Sequence, residues 1–250
     1  MRPDPYSWTA HPEAVLGVVA MAGAYVLALR QHPAPRWRIA CFALAALMLT
    51  AISVTPLDSL TYHLLTMHLL QNVALAEWAP ALLVLALPSM LAARLTRHRA
   101  ARTLTHPAVA LPLWLGTYFL WHLPPAYDTA LEHPATLLHL EHASYLAAGV
   151  LLWWPVLQDE PHRLPPGART AYVFGAFVLA SPLGLLLALL PNAVYDFYDP
   201  GRELWGLSPL TDQQIAGVTM ATEQAVVFFA VLAVFFFRFV QAEEAYEGRS

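Results

Sequence analysis

Lysine is missing from this 250-residue chain, and all of its 13 basic residues are arginine. Charge of either sign is scarce, 12% of residues with a net charge of −4. No basic stripe is available to follow a phosphate backbone, which argues against nucleic acid as a partner. Cysteine occurs once, as Cys41 within an apolar run. One thiol excludes an intramolecular disulfide and a multi-thiolate metal site, so any metal must be held by His, carboxylate, amide or Met. No nucleotide loop, nucleophile elbow or HExxH helix occurs, which weighs against a soluble-type active site. The opening MRPDPYSWTAHPE lacks the basic, apolar, small-residue order of a cleaved signal peptide. The first apolar run is therefore expected to persist as a helix.

What is abundant is apolar side chain, 58% of the chain, against about 45–50% in ordinary soluble domains. Stretches approaching the roughly 20 residues needed to cross a bilayer run near 13–29, 37–54, 62–87, 107–121, 136–157, 170–190 and 212–239. The expected fold is all-α, a seven-transmembrane helical bundle forming one integral membrane domain over residues 1–250. Pro- and Arg-bearing segments connect the stretches as loops. Arginine falls unevenly between the two sides. Arg30, Arg36, Arg38, Arg94, Arg97, Arg99, Arg102, Arg163, Arg169, Arg238 and Arg249 fall on one side, and Arg2 and Arg202 on the other. Since cytoplasmic loops retain positive charge, the N-terminus is expected outside and the C-terminus in the cytoplasm.

That direction gives each polar residue a depth. The third helix enters from outside, which puts His68 about 9 Å below the surface at a rise of 1.5 Å per residue. Gln71 and Asn72 follow on its face. His122 closes the fourth helix at WHLPP, and His139 and His142 share a face in the first turns of the fifth. Asp212 and Met220 lie at the matching end of the seventh helix. Four histidines from three helices therefore fall at one level, and imidazole suits Cu and Zn, with thioether adding a preference for Cu(I). Glu141, about 200° around the helix from His139, is expected to face elsewhere or to support a ligand. His11, in the N-terminal tail, and His63, turned off the face of His68, are read as standing apart. Glu77 and Glu223, near mid-membrane, read as a lock between helices. Trp8, Trp121, Trp153, Trp154 and Trp205 read as interfacial belts.

The segments MHLLQNVALAEWAPALLVLALP, WHLPPAYDTAL, LLHLEHASYLAAGVLLWWPVL and PLTDQQIAGVTM resemble, in order and spacing, the CtaG-type cytochrome c oxidase assembly factors of bacteria. The resemblance implies a multi-pass protein of the bacterial plasma membrane that partners cytochrome c oxidase subunits and helps supply their copper. On the family pattern Asn72 stands where a second histidine follows His68. A copper ion, or alternatively zinc, held by His68, His122, His139 and His142 is thus expected, with Asn72, Glu141, Asp212 and Met220 as additional or supporting groups. This makes the chain a carrier more than an enzyme. Two other readings stay open: a membrane zinc hydrolase using Asp212, and a metal-free scaffold for oxidase subunits.

Overall fold

The computed structural model describes residues 3–8, 11–198 and 203–247, with side chains described to residue 244. Arg2, Arg202 and Arg249, used above to orient the chain, lie outside the described residues. The chain folds into α1 (Pro12–Gln31), α2 (Arg36–Val54), α3 (Pro56–Thr61) and α4 (Leu65–Val73), which continues through a π-helical turn (Ala74–Trp78) into α5 (Ala79–Ala86). Then come α6 (Ser89–Leu95), α7 (Arg99–Leu104), α8 (Pro107–Trp121) and α9 (Pro124–Glu132). A second π-helical turn (Pro134–Leu138) leads into α10 (His139–Leu157), followed by α11 (Pro166–Leu189) and α12 (Pro209–Glu247). No strand occurs among the described residues. Proline opens α1, α3, α8, α9 and α11, where a missing N–H costs nothing and the fixed φ already suits a helix.

Five helices are long and apolar enough to cross a membrane: α1, α2, the rod Leu65–Ala86, α11 and α12. They mark a multi-pass membrane protein. The apolar α8 is shorter, and α10 opens on the polar residues His139, Glu141 and His142. Several of the boundaries expected from sequence shift. The third stretch starts at Leu65, because residues 62–64 form the break after α3. The last helix runs to Glu247, its tail QAEEAYE being rich in Ala, Glu and Gln, which favour helix without any need for burial. Three segments read as loops contain the short helices α3, α6, α7 and α9. They are too brief to display a period, yet helix satisfies their backbone groups close to the apolar phase.

The Leu65–Ala86 rod is the centre of the bundle, 67% of its window buried against 6% for α1 and 11% for α12. Valine, leucine and phenylalanine on the peripheral helices, such as Val19, Leu47, Leu186, Val226 and Phe237, stay exposed as lipid-facing surface. Helices approach most closely where side chains vanish. A Cβ added at Gly149 of α10 would lie 2.2 Å from the Ala76 carbonyl oxygen and 2.6 Å from Pro80 Cγ. The α11–α12 pair, the most extensive in the bundle, is equally close at Gly217, where a Cβ would lie 2.5 Å from Ala188 N.

The ends of helices are tied by polar side chains. At one end Gln158 Nε2 donates to Val84 O at 2.7 Å, Arg38 to Leu85 O at 2.6 Å and Arg169 to Val156 O at 2.9 Å. These residues satisfy carbonyls that a helix C-terminus leaves free. At the other end Asp212 accepts from Leu65 N at 2.5 Å and from Thr66 N and Oγ1 at 3.2 and 2.6 Å. It caps α4 from α12, so Asp212→Ala should lower stability by about 0.5–2 kcal/mol, the usual cost of a lost N-cap. A lower thermal midpoint in detergent checks this. Of the tryptophans read as belts, three are structural. Trp153 is 1% exposed and donates to Glu77 O at 2.8 Å, Trp121 donates to Ser144 Oγ at 2.8 Å, and Trp154 donates to Glu160 O at 2.7 Å. Each ring buries its apolar body while its N–H finds a partner. Trp8 and Trp205 are exposed.

Candidate functional site

Near the end of the bundle where α4 and α10 begin, their polar turns face each other in an otherwise apolar interior. His68 and Glu141 are both 0% exposed. Glu141 Oε1 accepts from Asn72 Nδ2 at 2.8 Å and lies 3.4 Å from His68 Nε2. A carboxylate only accepts, so His68 Nε2 carries the proton and its Nδ1 keeps the lone pair. The His142 ring stands 6.3 Å from that of His68, and Tyr127 of α9 packs on His68 at 4.8 Å. Glu141 therefore points into the bundle and not elsewhere, and it orients His68, not the neighbouring histidines of its own helix.

His122 follows α8 as its C-cap, and its Nδ1 donates to the Tyr118 carbonyl at 2.7 Å, which leaves the lone pair on Nε2. Tyr195 fixes the backbone there by donating to His122 O at 3.0 Å. Beside it lies a cavity of about 10 Å³, lined by Asn72, His122, Tyr145 and Met220 among others. That is room for about one water-sized particle. Met220 is 2% exposed, and its Sδ accepts from Tyr118 Oη at 3.6 Å. Asn72 thus touches both halves of the cluster.

Five polar atoms here are buried without a hydrogen-bond partner: His68 Nδ1, Asn72 Oδ1, Glu141 Oε2, His122 Nε2 and His142 Nε2. Native proteins leave few such atoms, and concentrating them in one spot is costly. All five can donate an electron pair to a cation, provided His142 carries its proton on Nδ1. The histidines on α4, α8 and α10 were legible in the sequence as one level, and the structure brings His68, His122 and His142 into this interior. His139 it turns outward. That side chain is 37% exposed, and its Nε2 lies 3.1 Å from Glu13 Oε1 of α1. His11, read as standing apart, reaches the same carboxylate, with its Nδ1 3.3 Å from Glu13 Oε1 and its ring 5.9 Å from that of His139. A hydrogen bond to Asp58 at 3.0 Å, aided by nearby negative charge and opposed by partial burial, holds the His11 pKa above its ordinary value. Asp212 is spent on the cap described above, and Gln71 turns away to donate to Ile52 O at 2.6 Å and Asp58 Oδ1 at 3.2 Å.

The family model for the cytochrome c oxidase caa3 assembly factor matches residues 21–242, a span that contains every residue of the buried cluster. The chain belongs to that family. The resemblance drawn from its segments is thereby established. Among curated proteins, it is similar to an uncharacterised protein of Mycobacterium leprae, 26% identical over 51% of this chain and 20% of that protein. Uncharacterised proteins of Mycobacterium bovis and Mycobacterium tuberculosis are each 24% identical over 59% of this chain and 25% of theirs. The chain spans a quarter or less of the length of these relatives. No solved structure matches.

Deeper in the bundle, the carboxylates read as a lock make reciprocal ties to α12. Glu77 Oε1 accepts from Gln224 Nε2 at 3.1 Å, and Glu223 Oε1 accepts from the neighbouring Trp78 Nε1. Gln224 also donates to Tyr118 Oη at 3.2 Å. The π-helical turn helps here by presenting Glu77 and Trp78 to the same helix. Gln224→Leu strands Glu77 and should cost about 1–2 kcal/mol, the upper range for such bonds between membrane helices. Unfolding of purified variant and parent in mixed detergent reads that difference.

Proposed function

We propose that this assembly factor carries copper as cargo in the interior where α4, α8 and α10 meet, with His68, His122 and His142 as donors, Glu141 and Asn72 orienting them and Met220 nearby. The observation that supports this reading is the set of five buried, unpartnered donor atoms. Three imidazole nitrogens, a carboxyl oxygen and a nearby thioether suit Cu(I) or Cu(II), with zinc the next fit. Fixing a histidine through its second nitrogen is how proteins prepare a ligand, and Glu141 and the Tyr118 carbonyl do this for His68 and His122. On this reading seven helices cross the bacterial plasma membrane, with α8 and α10 joining the five long apolar ones. The N-terminus lies outside, so the pocket sits in the outer half of the membrane, within reach of the oxidase subunits it serves. The zinc-hydrolase reading has lost its carboxylate, since Asp212 caps α4. Purified protein should contain copper, and the pair His68→Asn and His142→Asn should lose it. Equal copper in parent and variant would overturn the proposal and leave a scaffold.

A further inference from the structure

Glu13, at the start of α1, holds one carboxyl oxygen between two imidazoles of different origin, His11 just ahead of the same helix and His139 at the start of α10. The donor atoms of the three residues all lie within 4.8 Å of one another. Asp58 of α3 is a pure acceptor when ionised, so His11 Nε2 donates to it and the His11 lone pair falls on Nδ1. That lone pair then faces Glu13 Oε1 at 3.3 Å. Two acceptors aimed at each other repel unless a cation stands between them, whether a proton or a metal ion. Ligand atoms bound tetrahedrally at 2.0–2.1 Å are about 3.3–3.4 Å apart. The separations of 3.3 Å from His11 and 3.1 Å from His139 to the shared oxygen are close to that. The arrangement of Asp58, His11 and a metal position matches the way carboxylates orient metal-ligating histidines.

The location adds a second observation. A cavity of about 370 Å³ between α1, α2, the central rod and α10 is lined by Glu13 and His139 at one end and by His142 within. His142 is one of the proposed copper donors, and its Nε2 is buried without a partner. The remaining lining is almost all apolar, including Gly17, Val18, Leu49, Leu75 and Leu146. Between the two ends only the Met21 thioether and the Ser53 hydroxyl offer a cation a donor.

We propose that His11, Glu13 and His139, positioned by Asp58, form a second, exchangeable copper-binding site at the mouth of the cavity that leads to His142. It is the place where an ion is taken up or handed on. Only the fate of the ion rests on the proposed function, while its binding stands on the three side chains alone.

The test is a titration of purified full-length protein in detergent with Cu(II), followed by electron paramagnetic resonance. The first equivalent should show superhyperfine splitting from imidazole nitrogen. His11→Ala and Glu13→Gln should each weaken its binding at least 10-fold and alter the splitting. Asp58→Asn should weaken it by 10- to 100-fold, the range for an outer-shell partner. His133→Ala, at an exposed histidine just after α9, should change nothing. Unchanged binding in both His11→Ala and Glu13→Gln overturns the site. Loss of the signal in His142→Asn but not in His11→Ala places the ion in the buried pocket alone, which overturns this site and spares the proposed function. A single ion lost in His11→Ala, with no second ion lost in His68→Asn plus His142→Asn, upholds this site and removes the buried one.

Discussion

Cells whose only copy of this protein carries both His68→Asn and His142→Asn should keep it in the membrane yet lose most of their copper-loaded oxidase. His68 is buried and His142 half-buried, and asparagine is smaller than imidazole, so packing changes little while two nitrogen donors go. Removal of even an outer-shell partner of a metal lowers affinity about 10–100-fold, and losing two direct donors should cost more. The defect should be relieved by added copper, because mass action restores occupancy of a weakened site. That rescue separates a carrier from a scaffold. A scaffold that had lost its shape would not recover, and an intact one would show no defect. Oxidase activity in membranes, normalised to oxidase protein, reads both outcomes.

Gly149→Leu should abolish the folded protein. A Cβ there would meet the Ala76 carbonyl oxygen at 2.2 Å and the Ala76 carbonyl carbon at 2.8 Å. Backbone cannot rotate away as a flexible side chain can, so α10 must leave the central rod. That crossing aligns Trp153 with the Glu77 carbonyl and Glu141 with His68 and Asn72. The cost therefore exceeds the 1–3 kcal/mol typical of overpacking. Gly116→Ala, on α8 where nothing lies within 4 Å, should instead be neutral or stabilise by up to about 1 kcal/mol through its better helix propensity. Size-exclusion profiles of the two variants in detergent should differ sharply, with the first aggregated and the second like the parent.

The contrast between these two glycines shows what a sequence conceals. Both sit in apolar stretches of similar composition, and only the approach of another helix separates them. Apolar length and arginine distribution made a helical membrane bundle legible. The short helices were not, because six to nine residues between prolines carry no readable period. At the site, the angular arithmetic along α10 held while the choice of inward face did not. His139 and Glu141 do lie on opposite sides, but Glu141 faces His68 and His139 faces Glu13. Sequence could not decide this because the fixed point is α4, whose Asn72 and His68 both offer N–H groups to a carboxylate. His142, between the two directions, lines the larger cavity with its ring 6.3 Å from that of His68. His11 was missed for a related reason: a residue ahead of the first helix has no face until Asp58, 47 positions along the chain, anchors it.

The most direct test of the buried pocket is copper K-edge X-ray absorption on purified protein loaded with one equivalent of Cu(I), with His11→Ala included to silence the outer site. The account predicts retained copper with imidazole scattering that disappears when His68→Asn and His142→Asn are added. Copper that is not retained, or a spectrum unchanged by those two substitutions, would contradict it.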